Sequence, residues 1–275
     1  KLATNSNNIN PFDKISGSAS LVSIKGVLLL LAAVTLMAFL LAKLEIVGIG
    51  LLFALMFGAI YLYFLFSNPV IGFYTAIGLN FLLLCLCRYV MGLPLGFGID
   101  GIMILTFLAI IFSRFRERVN WSPANKTITV LAAIWLVYCV FQLANPEARM
   151  IEPWIAGRGV GLYFFFFVVL TFMLINTNKR LDTLLFIWGI FSIIATLKGI
   201  MQLFFGLDAA EQAWLDNGGA QTHLLFGKLR VFSFFSDAGQ FGANQGFSGV
   251  VAIIYSMTKK GFPKIFFITV GILGF

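Results

Sequence analysis

Four cationic side chains stand at or near the ends of long apolar runs, where a lipid-facing segment rarely carries charge: Arg88, Arg158, Lys198 and Arg230. A guanidinium presents a planar fork that binds two phosphate oxygens at once, and an ammonium adds a point charge to the same pocket. Such a set suits an anion with an apolar tail, for example a lipid diphosphate. Snorkelling of a long side chain toward lipid headgroups is the alternative explanation, above all for Arg88.

Lys198 differs from the other three because it lies a turn or two inside its apolar run. Ionisable residues at such depth face the interior of a helix bundle and mark functional pathways. Asp100, near the start of another run, is its predicted partner. A purely structural pair of Lys198 with Asp100 is the alternative to a role in binding.

A second group of polar residues, Asp237, Gln240 and Asn244, stands at the mouth of a later apolar run. Asp237 is placed to cap the N-terminus of a helix, where a negative charge is favourable. Gln240 and Asn244 are four residues apart and therefore share one helix face. These residues predict a polar cavity that continues inward from the cap.

The elements that must position these residues are membrane-spanning helices. Of the 275 residues, 60% are hydrophobic and 11% are charged, against about 25% charged residues in soluble domains. The apolar runs are each near the ~20 residues that a span requires, and they do not alternate as barrel strands do. We predict an all-α, polytopic transmembrane bundle of about eight spans, at 22–42, 46–66, 69–90, 95–113, 127–143, 159–176, 182–205 and 240–258, with a ninth beginning near Phe262.

The distribution of Lys and Arg predicts the orientation of these spans. Alternate linkers are basic (114–126, 179–180 and 259–264), which is typical of cytoplasmic loops. Residues 1–20 then form a polar cytoplasmic segment and residues 21–275 the transmembrane domain. Loop 206–239 is the longest on the opposite side, and its mixture of Trp, Phe and charged residues predicts an ordered structure. The net charge of +8 is accounted for by the cytoplasmic linkers, so we expect no nucleic-acid partner.

Common soluble-enzyme motifs are missing from the sequence. There is no GxxxxGK[ST] loop. The sequence has one histidine, His223, and its three cysteines all lie inside apolar runs, away from that histidine. We therefore expect no metal site and no cofactor.

Residues 230–242, RVFSFFSDAGQFG, resemble the R-x-F-S-x-F-x-[DN]-x-[NG]-x-[FL]-[GA] signature of the bacterial O-antigen ligase and polymerase superfamily. The segment GRGVGLY at 157–163 resembles the surroundings of an arginine that this family carries at the outer end of an earlier helix. The short signature covers little of the chain, while the predicted topology extends the resemblance over most of it.

The resemblance implies a GT-C-like glycosyltransferase of the bacterial inner membrane, with its N-terminus in the cytoplasm. Members of the family transfer a glycan from an undecaprenyl-diphosphate carrier to lipid A core, to another glycan or to a protein, on the periplasmic face and without a metal. By position, Arg230 and Arg158 would hold the diphosphate. The family's activating histidine belongs to a later outer loop, so its role is not transferred to His223 and the catalytic residue is unknown. The last apolar run stops after about a dozen residues, from which we expect that the natural protein continues.

Two other functions are compatible with the same sequence. A transporter or flippase of a lipid-linked anion would use the same cations, but it should also carry charges deeper along its pathway and interrupted helices in paired positions. A non-catalytic membrane subunit of a larger complex would need no catalytic base, but this alternative does not explain why Gln240 and Asn244 place polar side chains on a membrane-spanning helix.

Overall fold

A computed structural model describes residues 24–89, 96–112, 119–145, 147 and 152–275. The predicted cytoplasmic segment 1–20 and the arginines of linker 113–118 lie outside the described residues. By its internal contacts the chain divides into two units, one ending at Tyr63 and the other running from Phe64 to Phe275.

The described chain is mostly helical. Its long helices are α1 (Ile24–Ser67), α2 (Val70–Tyr89), α3 (Gly96–Phe112), α4 (Thr127–Phe141), α5 (Glu152–Leu174), α6 (Asn178–Phe204), α9 (Ala238–Ser256) and α10 (Phe262–Leu273). Between α6 and α9 lie the short helices α7 (Ala209–Trp214) and α8 (Ala220–His223) and the two-residue strands β1 (Leu224–Leu225) and β2 (Lys228–Leu229). Single helical turns occupy Ser122–Ala124, Gln142–Ala144 and Leu215–Gly219. The predicted all-α class is therefore confirmed.

Three helical segments among the described residues are long and apolar enough to cross a membrane: Thr127–Ala144, Gly157–Leu174 and Asn178–Phe204. Shorter apolar helices cover Leu52–Ser67, Val70–Leu83, Gly96–Phe112 and Phe262–Leu273. The helices thus have membrane-like character, whereas the count of eight spans stays a prediction.

The first two predicted spans form a single helix. We expected a turn at residues 43–45, but α1 continues without a break from Ile24 to Ser67 over 44 residues. The stretch 42–47 reads Ala-Lys-Leu-Glu-Ile-Val and contains neither glycine nor proline, so nothing in its local preferences ends a helix. The charges of Lys43 and Glu45 suggested a loop that the backbone does not form.

An aromatic core joins α2, α6 and the segment that precedes α9. The rings of Phe81 on α2 and Phe191 on α6 stack with centroids 5.1 Å apart. Phe235, just before α9, meets Phe81 edge to face at 5.7 Å. Helices α2 and α6 therefore position the segment that contains Arg230 and Asp237.

Helices α9 and α10 pack closely through glycines. A Cβ at Gly274 would lie 2.6 Å from the carbonyl oxygen of Gln245 and 2.8 Å from the Cα of Gly249. A Cβ at Gly271 would lie 2.6 Å from the Ile253 side chain. Small residues let helix backbones approach one another in membrane bundles, and these glycines allow that approach here.

We expect Gly274→Ala to lower the free energy of unfolding by about 1–3 kcal/mol, because the added methyl group overlaps the α9 backbone. Gly246→Ala is the matched control, since a Cβ there has no atom within 4 Å; it should be neutral or stabilising by about 0.5–1 kcal/mol. Thermal unfolding of the two purified variants in detergent checks this. Equal melting temperatures would contradict the close packing of α9 on α10.

Candidate functional site

The long loop between α6 and α9 is folded onto the ends of the helices. It leaves α6 through Gly206, whose φ of +86° favours glycine. Helix α7 then begins with a capping box: an Asp208 oxygen accepts from the Glu211 N–H at 2.9 Å, and a Glu211 oxygen accepts from the Asp208 N–H at 3.2 Å. These reciprocal bonds satisfy donors that a helix start otherwise leaves open. The predicted loop 206–239 thus has a defined fold.

Arg88, at the end of α2, holds the final part of this loop. Its guanidinium donates to the carbonyl oxygen of Ser233 at 2.7 Å and also to that of Phe235. It lies 4.2 Å from the ring centre of Phe232 and 4.7 Å from that of Trp214. Only 3% of the residue is exposed. The guanidinium is therefore occupied by the protein's own groups, and contact with a diphosphate stays a prediction.

Lys198 pairs with the loop and not with Asp100. Its ammonium lies 3.0 Å from a Glu211 oxygen and 3.2 Å from an Asp208 oxygen. Glu211 is fully buried, so the pair is shielded from solvent on that side. The predicted Lys198–Asp100 pair is therefore wrong. The partners are Asp208 and Glu211, ten and thirteen residues further along the chain, and the start of α7 places both beside Lys198.

Gln202, which lies one helical turn beyond Lys198, completes this arrangement. Its amide nitrogen donates to Glu211 at 2.9 Å, and its amide oxygen accepts from the Ser233 N–H at 2.8 Å. The Ser233 hydroxyl donates to the carbonyl oxygen of Ala195 at 2.5 Å. Gln202, Glu211 and Ser233 were not among the predicted site residues. Two local signals pointed to Gln202 and Glu211: the i, i+4 spacing of 198 and 202 on one helix face, and the Asp-x-x-Glu pattern of a capping box at 208–211.

The loop carboxylate of Asp208 is tuned toward its charged form. Partial burial favours a higher pKa, but hydrogen bonds from the Tyr89 hydroxyl, the Glu211 N–H and the Lys198 ammonium outweigh it and hold the Asp208 pKa below its ordinary value of 3.8. A carboxylate with a lowered pKa in the folded state contributes stability at high pH and loses it on protonation.

The attachment of the loop should consequently weaken in acid. The contribution of Asp208 is complete above the ordinary pKa of 3.8 and disappears as the pH falls below it, through the lower pKa of the folded state. Asp208→Asn is the matched variant, because asparagine also caps helices but carries no charge. Protease cleavage within residues 206–237, measured against pH, should rise more steeply in acid for the unmodified protein than for the variant. Parallel profiles would contradict this role of Asp208.

Arg158 has a separate partner. Its Nε donates to Asp100 at 2.7 Å, it also donates to the carbonyl oxygen of Ile155, and its guanidinium lies 4.3 Å from the ring centre of Phe97. Helices α3 and α5 therefore fix this arginine. In the described residues no contact joins the Arg158–Asp100 pair to the Lys198 group.

Arg230 stands at the base of the β1–β2 hairpin and is exposed. Its guanidinium donates one hydrogen bond, to the carbonyl oxygen of Thr222 at 3.2 Å. Its backbone N–H donates to the carbonyl oxygen of His223 at 2.8 Å. His223 itself is buried, with ring centroids 4.9 Å from Trp214 and 5.1 Å from Phe232. The lone histidine is thus part of the aromatic core under the hairpin, and Arg230 remains accessible.

The predicted polar cavity is divided. Asp237 is the N-cap of α9 and accepts from the N–H groups of Gly239 and Gln240 at 2.6 and 3.3 Å. Gln240 is exposed and accepts from the Ser236 hydroxyl at 2.9 Å. Of these three residues, Asn244 lines a partly open cavity of about 360 Å³, together with Asn80, Thr171 and mainly aromatic and aliphatic side chains. The cap and the cavity-lining residue therefore have different surroundings.

The chemistry open to this site is anion binding. Arg88, Arg158 and Lys198 are engaged inside the protein, whereas Arg230 presents its guanidinium to the surroundings. Among the described residues, no three His, Cys, Asp or Glu side chains lie close enough together to hold a metal ion. No protein-family model matches this chain, and no curated protein or solved structure matches it either.

Proposed function

We propose that this chain is a multi-pass membrane protein that binds a lipid-linked diphosphate at the end of the bundle covered by loop 206–237. Three helical segments of sufficient length and apolar character support the membrane placement. We further propose the bacterial inner membrane, with the basic linkers in the cytoplasm and the loop on the periplasmic side. The cytoplasmic N-terminus expected from the sequence depended on a turn at 43–45, which α1 does not form, so it is not part of this proposal.

The proposed activity is that of an O-antigen ligase-like glycosyltransferase. A glycan would pass from an undecaprenyl-diphosphate carrier to lipid A core, to another glycan or to a protein. The observation that carries this proposal is the accessible guanidinium of Arg230, which begins the 230–242 signature and makes one weak contact with the loop. As the bond between sugar and diphosphate breaks, negative charge grows on the leaving group, and a cation held there stabilises it.

In this proposal the other cations have distinct roles. Arg88 and Lys198 position the loop, because each forms two polar contacts with loop residues. Arg158 remains a predicted diphosphate ligand whose orientation is set by Asp100. The catalytic base is not assigned to any described residue.

Binding of undecaprenyl diphosphate to Arg230→Ala tests the proposal. Loss of a charge-assisted, bidentate contact should weaken binding by about tenfold or more. Lys260→Ala, which removes the same charge from the turn after α9, should bind like the unmodified protein. If Arg230→Ala also binds unchanged, the diphosphate site is wrong.

A non-catalytic membrane subunit is the second candidate. The internal pairing of Arg88 and Lys198 favours it, because cations that hold a loop need no ligand to explain them. This candidate predicts that neither Arg230→Ala nor Arg158→Ala affects lipid binding.

A further inference from the structure

The hairpin in the loop ends in an exposed apolar tip. Strands β1 and β2 pair antiparallel, with Leu224 opposite Leu229 and Leu225 opposite Lys228. The two connecting residues, Phe226 and Gly227, have φ values of +52° and +74°, as a type I′ turn requires. Such a turn favours asparagine or glycine at its first position. Phenylalanine in this conformation is strained, and the turn gives no reason for it.

The tip is also more exposed than folding alone would leave it. Phe226 is 97% exposed, and Leu224 and Leu225 beside it are exposed as well. Contiguous exposed apolar side chains mark interaction sites in folded proteins. The tip therefore has an occupant outside the described fold.

The charges around the tip indicate an anionic occupant. Lys228, in β2, and Arg230, directly after it, both follow the turn, and both are exposed. Residues 217–236 contain no Asp or Glu, so no acidic side chain within this segment offsets the two cations. Apolar residues beside Lys and Arg are typical of segments that lie at the surface of an anionic bilayer.

The position of the loop in the chain points to the same occupant. The loop leaves α6, one of the three segments able to cross a membrane. The last residues of that helix are apolar and exposed, with Phe204 at 75% and Phe205 at 85%. Exposed apolar side chains at the end of a spanning helix are favourable in lipid and costly in water. The loop thus starts at the membrane surface.

The base of the hairpin is held firmly enough to present the tip in one orientation. The backbone bond from Arg230 to His223 closes the base at 2.8 Å. His223 is buried between Trp214 and Phe232, which in turn contact the Arg88 guanidinium. A tip on a fixed support is suited to insertion into a membrane, because the hairpin loses little conformational entropy when it binds.

We propose that the tip of the hairpin, Leu225 and Phe226, inserts into the surface of the phospholipid bilayer, with Lys228 at the lipid phosphates. This proposal rests on the membrane placement of the chain but not on diphosphate binding or glycan transfer. The tip then anchors the loop over the helix ends from the lipid side, as Arg88 and Lys198 do from the protein side.

Spin labelling in nanodiscs tests the insertion. The full chain, with Cys85, Cys87 and Cys139 replaced by alanine, carries a nitroxide at Phe226→Cys or, as the control, at Asp216→Cys, an exposed site in the same loop. The discs contain phosphatidylcholine and phosphatidylglycerol and no polyprenyl lipid. Oxygen, which concentrates in lipid, should relax the label at 226 several-fold more than a water-soluble nickel chelate does. The label at 216 should show the opposite preference.

Two results would overturn the proposal. A label at 226 that prefers the nickel chelate as strongly as the label at 216 means that the tip lies in water. A label shielded from both reagents means that the tip packs against protein, such as a second copy of the chain. A failed insertion would leave the diphosphate proposal intact, because these discs contain no carrier lipid.

A second variant separates insertion from misfolding. Phe226→Asn creates an Asn-Gly turn, the preferred pair for this geometry, so the hairpin should form at least as well. A label at Leu225→Cys should lose its preference for oxygen when Phe226→Asn is added. An unchanged preference would show that Phe226 is not the inserting residue and would overturn the proposal.

Discussion

Replacing Arg88 with alanine should release the end of the long loop from the bundle. The substitution leaves the Phe235 carbonyl without its Arg88 donor and the Ser233 carbonyl with only the 3.5 Å bond from Gln202, and it removes a cation from two aromatic rings. Hydrogen bonds to charged groups contribute about 1.5–3 kcal/mol each, so we expect the free energy of local opening to fall by about 3 kcal/mol. Amide hydrogen exchange at residues 230–237 should then accelerate by about a hundredfold.

Two further variants make the Arg88 result specific. Lys260→Ala removes an exposed cation outside the loop and should change the exchange little, because surface substitutions lie within about 0.5 kcal/mol. Arg88→Lys keeps the charge but not the fork that reaches two carbonyls, and should lie between the two. Exchange in Arg88→Ala that matches the unmodified protein would show that the loop is held by other contacts.

Replacing Lys198 with leucine should destabilise the protein rather than only weaken ligand binding. The substitution leaves the fully buried Glu211 carboxylate with Gln202 as its side-chain partner. Removing one member of a buried ion pair costs about 3–5 kcal/mol, mainly because the other charge is stranded. Unfolding in denaturant should show a loss of about that size.

The double variant Lys198→Leu, Glu211→Gln tests the reason for this loss. Glutamine at 211 has no charge to strand, and its single amide oxygen can keep one of the two bonds that Glu211 accepts, from the Asp208 N–H or from Gln202. The double variant should therefore be more stable than Lys198→Leu alone. Lys259→Ala, which breaks the more exposed pair with Asp182, is the control and should have a much smaller effect. If the stability loss of the double variant equals the sum of the losses of Lys198→Leu and Glu211→Gln, the two side chains are not energetically coupled.

The helices were largely predictable because apolar runs and caps are local signals. The third predicted span, 69–90, corresponds to α2 at Val70–Tyr89, and the capping role of Asp237 agrees with the start of α9 at Ala238. The turn predicted at 43–45 is wrong because the residues there favour a helix, and the two apolar runs on either side join into one helix.

The partners of the cations were less predictable. Types and positions alone singled out Arg88, Lys198 and Arg230, but not what each contacts. Arg88 and Ser233 are 145 residues apart, and only the packing of α2, α6 and α9 brings them together. Lys198 was assigned to Asp100 because both lie in apolar runs, whereas the fold of the loop supplied Asp208 and Glu211. Arg88 is buried and Arg230 is exposed. No sequence pattern indicates which of the two arginines is buried.

These pairings bear on the competing functions. A transporter of a lipid-linked anion requires charges along its path, but the partly open cavity beside Asn244 is lined by amide, hydroxyl and apolar side chains. A binding site at the helix ends agrees better with the accessible Arg230. The glycosyltransferase and the structural subunit then differ in one property, recognition of the carrier headgroup.

The most direct measurement is therefore the affinity of the unmodified protein, in nanodiscs, for undecaprenyl diphosphate compared with undecaprenol. The two lipids share one tail, so a difference between them reports only the headgroup. The account predicts that the diphosphate binds about tenfold or more tightly and that added salt reduces this preference. Equal affinities at low and high salt would contradict it, and the cations would then be contacts that only hold the loop.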